Sequence, residues 1–263
     1  MIIDIHTHIF PNQLAKKTIP LLSKSAKICP TTDGTLDSLQ NISSRAGISI
    51  NVIQNIVTNP KQTINVNNFA ISLLNEHGII PFGSIHPDFE GWKYELKRLK
   101  DAGIKGIKIH PDYQNFFIED SRLYPLYETI QEMEFLLLVH AGLDLGLQEP
   151  THCLPDGLLK VITDFPGLPL IAAHIGGHLK WNEVYEKLIG TNIYFDTSFS
   201  ARCIEENLLL KMIRDHGADK FLFGTDSPWS DAKKDIAYFK RLPISSKERE
   251  QIFSGTAQQL LNI

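Results

Sequence analysis

Short apolar runs rich in Ile, Val, Leu and Phe alternate along this chain with longer amphipathic stretches. Eight of these runs read as strands, at 2–6, 52–57, 79–85, 106–110, 135–140, 170–174, 193–196 and 221–226. Their near-continuous apolar character is that of parallel strands covered on both faces. Helices are predicted between them. Tyr124–Glu134 follows the N-cap residues Asp120 and Ser121 and sets Leu126, Ile130 and Met133 on one face. His77-Gly78 and His216-Gly217 mark helix ends with glycine in the left-handed position. Leu154–Asp164 and Cys203–His216 complete the alternation. Eight strands alternating with helices predict an α/β fold, a (β/α)8 TIM barrel, with an open doubly wound sheet as the second choice. No G-x-G-x-x-G or P-loop follows any strand, which leaves a nucleotide fold without a motif. The stretch Asn12–Thr35 is too long for a normal βα loop, is polar and carries Pro20 and Pro30. It is expected to form an excursion over one end of the barrel. Residues 1–263 read as one domain.

Composition narrows the class. At 263 residues, 43% hydrophobic and 21% charged, the chain can bury a sizeable core. A net charge of −4 gives no electrostatic footprint for nucleic acid or an anionic membrane. Cys29, Cys153 and Cys203 are odd in number and lack CxxC spacing, which argues against a disulfide scaffold or a thiolate zinc site and suits a cytoplasmic protein. The N-terminus shows no signal-peptide pattern and no apolar run reaches membrane-span length. Ten histidines remain to be explained.

Several fall at the ends of the predicted strands. His6 and His8 close strand 1 in Asp-Ile-His-Thr-His, and residues two apart in an extended chain point to the same side. Two neutral imidazoles so placed chelate a divalent metal, although a lone His-x-His serves equally well as a polar strand cap. His140, His174 and Asp226 end strands 5, 6 and 8. A barrel gathers those ends around one axis, where barrel active sites lie. Histidine and carboxylate together offer an N/O shell with room for water.

The chain resembles the amidohydrolase superfamily of metal-dependent barrels, particularly the amidohydrolase-related family that includes aminocarboxymuconate-semialdehyde decarboxylase. The resemblance covers nearly the whole chain. It rests on His-Thr-His at 6–8, Gly-Ile-Lys-Ile-His-Pro at 106–111, Val-His-Ala-Gly at 139–142 and Ala-His-Ile-Gly-Gly at 173–177. It continues through Tyr-Phe-Asp-Thr-Ser at 194–198, Gly-Thr-Asp-Ser-Pro-Trp at 224–229 and the closing Ser-Gly-Thr-Ala-Gln-Gln-Leu-Leu. It implies that His6, His8, His140 and Asp226 bind the metal, and that His174 is the neighbouring acid/base. Asp226 would accept a proton from a metal-activated water. Zinc leads as the metal, with Mn, Fe and Co compatible. A homodimer is the oligomeric state the resemblance suggests.

Strand 4 decides between one metal and two. Lys108 lies two residues before His110, about 7 Å deeper on the same face. A buried ammonium paired with a carboxylate is preferred to a carbamylated bridging ligand, so a single metal is expected, with His110 near the substrate. His86 is either a pocket residue or a polar cap before a Pro turn. Arg202 is either an anchor for a substrate carboxylate or a solvated helix residue. Trp229, Phe199 and Phe10 are pocket walls or core. Asp4 and Asp196 are candidates to orient ligand histidines. A His152/Cys153 nucleophilic pair finds no further support. Hydrolysis of a small amide, ester or lactone is placed ahead of non-oxidative decarboxylation of a small unsaturated or aromatic acid, because the latter also needs a carboxylate anchor. A barrel deoxyribonuclease and a non-catalytic scaffold are weaker choices.

Overall fold

The computed structural model describes residues 1–263. Eight parallel strands run in sequence order: β1 Ile3–Thr7, β2 Ile50–Gln54, β3 Ile79–Ser84, β4 Gly106–Ile109, β5 Leu136–Val139, β6 Leu170–Ala172, β7 Tyr194–Asp196 and β8 Phe221–Leu222. The end of β8 returns to β1 through Ile5 N–H to Phe223 O, Asp226 N–H to His6 O and His8 N–H to Ser227 O. The sheet thereby becomes a barrel, as the pattern predicts. No helix is long and apolar enough to cross a membrane.

Strand parity sorts the core into two layers. Leu137, Val139 and Leu170 belong to a cluster of 44 buried residues that joins the strands to the surrounding helices. Val52, Phe82, Leu138, Ile171 and Leu222 belong to an inner cluster, joined by Ala257 and Leu261 of the C-terminal helix 256–261. Gly106 is required here: a Cβ would lie 2.3 Å from the Phe82 ring, which fills the space β4 leaves. On the same face of β4, Lys108 replaces an apolar residue at the level where the filled interior gives way to the mouth.

The excursion over the barrel end takes a helical form, and the helix end expected at His77 is corrected. Much of the polar excursion is helical: Asn12–Ala26 forms fifteen residues of helix, followed by a loop and helix Leu36–Ala46. Pro20 lacks one N–H, yet Ala15 and Ile19 at i and i+4 bury a stripe that holds the helix despite the lost bond. Thr35 caps the second helix by accepting from Ser38 N–H. The helix assigned to end at His77 ends at Ser72 and continues as turns to Gly78. His216 does end its helix, but its ring is buried. It bridges Ile193 O and Gly190 N–H, and burial lowers its pKa, so it is a neutral connector.

Candidate active site

His6, His8, Lys108, His110, His140, His174, Asp226 and Trp229 all line one cavity of about 630 Å³ at the C-terminal ends of the strands. Phe10 and Phe199 are among its walls. Two sequence candidates lie elsewhere. His86 is buried outside the cavity and accepts from Asp88 N–H, serving as the turn cap. Arg202 bonds Asp235 Oδ1 at 2.5 Å and Ser230 Oγ at 3.1 Å. It ties the segment after β7 to the loop after β8 and helix 232–241, and it does not reach the cavity.

The polar floor is built where β1 meets β8. The β1–β2 pairing shifts register between Asp4 and Thr7, a bulge beside His6 of the kind that re-aims side chains. Asp4 accepts from His6 N–H, Thr225 N–H and Thr225 Oγ1–H, fixing both ligand-bearing segments. Burial pushes its carboxyl up to about 7 against these bonds. His174, Ile175, Phe199 and Asp226 hold left-handed φ values of 60°, 57°, 57° and 68° without being glycine. Each such residue stores about 1–3 kcal/mol of strain, which a functional mouth retains for placement.

Hydrogen bonding decides which ring nitrogen carries each proton. His6 Nδ1 faces Asp196 Oδ2 at 2.7 Å, and His8 Nδ1 faces the carbonyl of Gln54 at 2.8 Å. Both partners are acceptors, so both Nδ1 atoms carry hydrogen and both Nε2 atoms are lone pairs. Yet the two Nε2 atoms lie 3.2 Å apart, with Asp226 Oδ1 at 3.1 Å from one and 3.4 Å from the other. Three acceptors converge without a hydrogen between them. This knot fits a divalent cation bound by two imidazoles and a carboxylate. Burial, followed by the nearby Lys108 charge, lowers His6 to about 3, keeping it in the neutral form a metal requires.

His140 does not join this triad; its ligand atoms cluster with His110 and Asp144 instead. Its tautomer is nonetheless fixed. His174 Nδ1 faces Ser198 O at 3.0 Å and carries hydrogen, so its Nε2 accepts from His140 Nδ1–H at 3.0 Å. That leaves His140 Nε2 as a buried lone pair with no partner. His110 is arranged in the opposite sense. Its Nδ1 accepts from Tyr113 N–H, and its Nε2 points to Asp144 Oδ2 at 3.3 Å.

Lys108 departs from the expected carboxylate pairing. Its Nζ lies 3.3 Å from His6 Nε2. Burial lowers it to about 8, with Asp196 and Asp226 opposing the drop. Asp196 accepts from His6 through one oxygen and from His174 N–H and Ser198 through the other, so it orients two site histidines. Sequence reasoning missed Asp144, Tyr113 and Gln54. Asp144 lies in the loop after β5 and Tyr113 in the one-turn helix Pro111–Gln114 after β4, neither in a motif, and Gln54 acts on His8 through its main chain.

The fold is a (β/α)8 barrel whose mouth carries a donor set that fits a divalent metal. The amidohydrolase family profile matches residues 3–263, and the chain belongs to that family. It is 24% identical over 239 residues to a dihydroorotase from Aliivibrio salmonicida, covering 78% of this chain and 69% of that protein. It is 22% identical over 216 residues to a gamma-resorcylate decarboxylase from Polaromonas sp. strain JS666, covering 64% of this chain and 65% of that protein. The chain therefore spans about two thirds of the length of each relative. A solved dihydroxybenzoic acid decarboxylase from Polaromonas sp. JS666, holding manganese and 2-nitroresorcinol, superposes with a TM-score of 0.71 at 17% identity. That match covers 99% of this chain and 96% of the other.

Proposed function

We propose that this protein is a metal-dependent carboxy-lyase, removing CO2 without oxidation from a small unsaturated or aromatic acid. The observation that carries this reading is the acceptor knot at His6, His8 and Asp226 with the Lys108 ammonium beside it, an electropositive floor for a carboxylate once a divalent ion is held. Similarity in sequence and in structure to dihydroxybenzoate decarboxylase supports it and reverses the order reached from sequence, where hydrolysis stood first for want of an anchor. The anchor is Lys108, not Arg202.

His6, His8 and Asp226 would hold the ion, with the free Nε2 of His140 as fourth donor. The ion, zinc or manganese, supplies a Lewis acid for a carboxylate or carbonyl oxygen and acidifies water. In decarboxylation the electrons of the C–CO2 bond stay on the substrate carbon, which takes up one proton as CO2 leaves. His174 would be the proton carrier: Nδ1 is committed to Ser198 O, so Nε2, which accepts from His140 Nδ1–H in the resting site, would first take a proton from water and then pass it to the substrate carbon. Hydrolysis of a cyclic amide is the second reading, favoured by the dihydroorotase similarity. The metal-loaded protein is to be incubated in D2O with hydroxybenzoic acids and, separately, with cyclic amides and lactones. Evolved CO2 with deuterium at the vacated carbon is expected; a new carboxylate from amide or lactone without CO2 from any acid establishes the second reading instead.

A further inference from the structure

The cavity is far less polar above its floor. Its only charged lining residues are Asp226 and Lys108 at the floor and Asp144, which is paired with His110; no arginine or glutamate reaches it. Helix 12–26 forms the roof. Ala15 and Ile19 are its buried side, while Leu14, Thr18 and Leu22, spaced four apart, line the cavity. Ile56, Val66 and Phe69 line it too, from the segments after β2, interspersed with the uncharged polar residues Asn55, Thr58, Gln62 and Asn65. Leu14 is 48% exposed, so a second apolar stripe faces solvent-filled space. The roof is tied down at its C-terminal end and in the loop just beyond it. Thr31 Oγ1 bonds the carbonyls of Pro228 and Ser230, and Ser25 Oγ bonds Gly146 O in the loop after β5, across the mouth from β1. A ligand that engages only the floor leaves the Leu14 and Leu22 face against water.

We propose that the substrate is an amphiphile: one carboxylate or carbonyl head at the floor, joined to an uncharged aryl or alkyl body that lies under helix 12–26. This rests on the floor being the reaction centre. The absence of charge along the roof disfavours a second ionic group on the body, which would lose its hydration without gaining a partner.

Calorimetric titration of the metal-loaded protein with 4-alkylbenzoates, from benzoate to 4-hexylbenzoate, reads the roof directly. Affinity is expected to rise about threefold to fourfold per methylene, the equivalent of about 0.8 kcal/mol for each buried CH2. Leu14→Asp and Leu22→Asp should cut that slope to below about 1.5-fold, with metal content and thermal melting as folding controls. A parallel 4-alkylphenol series separates the two readings. Slopes in both series with metal-independent benzoate binding uphold the roof and sink the floor. Metal-dependent benzoate binding with flat slopes, or slopes untouched in both variants, overturns the inference and leaves the proposed function standing.

Discussion

Two corners of the barrel mouth carry the same ingredients and do different things with them. At the β1–β8 corner, His6, His8 and Asp226 bring ligand atoms within 4.8 Å of one another; at the β4–β5 corner, His110, His140 and Asp144 do the same. In the first, acceptors behind the rings take both Nδ1 hydrogens, so only lone pairs meet in front. In the second, Tyr113 N–H occupies His110 Nδ1 from behind, so the proton sits in front and satisfies Asp144. Proximity of two histidines and a carboxylate does not make a metal site. The group behind each imidazole chooses between a ligand and a hydrogen-bond donor.

The largest expected effect follows at the first corner. Asp226→Ala removes the carboxylate from the knot and should lower metal affinity beyond the roughly 100-fold loss caused by changing an outer partner, taking turnover with it. Metal analysis after dialysis measures this; a variant that retains one equivalent would refute the assigned triad. Asp196→Asn tests the comparison more finely. Asp196 Oδ1 already accepts from His174 N–H and Ser198, so the amide nitrogen must turn toward His6. A donor there would force hydrogen onto His6 Nε2 and convert a ligand into the His110 arrangement. Metal affinity should fall about 10–100-fold while the fold persists, and metal binding equal to wild type would show that the tautomer argument is wrong.

His178 links the corners, its N–H bonding Ala141 O and its ring accepting or donating at Ser200 Oγ. Gly142 allows this approach, because a Cβ there would stand 2.1 Å from His178 N. Burial, then the His174 charge, lowers His178 to about 4. Between about 4 and 6.5 the unfolded chain therefore binds more protons than the folded one, so this residue makes stability rise with pH there and fall as pH drops. His178→Gln should flatten the wild-type gain between pH 4.5 and 6.5 by about 1–2 kcal/mol, after a discount for partial exposure. Parallel denaturation curves for the two proteins across that window would contradict the assignment.

How much of this was readable in the sequence follows from the same contrast. Strands announce themselves as apolar runs, and a barrel's topology alone brings His6, His174 and Asp226 to one mouth, so the fold and most of the floor were legible. Proton placement was not. It depends on partners distant in sequence, such as Asp196 with His6 or the Gln54 carbonyl with His8. Arg202 illustrates the limit from the other side. Its guanidinium fork suited a substrate carboxylate, yet Asp235, on helix 232–241, takes it instead. Helix 12–26 was hidden because Pro20 and its lysines masked a short apolar stripe whose partner is the barrel itself.

The smallest predicted effect is the most exacting for the comparison. If His110 donates to Asp144 and neither holds the ion, Asp144→Asn should leave metal stoichiometry and affinity within about twofold of wild type, since outer partners that do matter cost about 10–100-fold. The same substitution removes the acceptor for His110 Nε2–H and with it the group that raises the His110 pKa against burial. His110 then becomes harder to protonate, and any pH dependence of binding to the cavity that it governs shifts to lower pH. Measuring metal affinity and that pH profile on one variant separates the roles. A profile shift without metal loss marks the corner as a substrate-facing donor. Metal loss comparable to Asp226→Ala would instead make Asp144 a ligand, and the lone-pair argument that divides the two corners would fall.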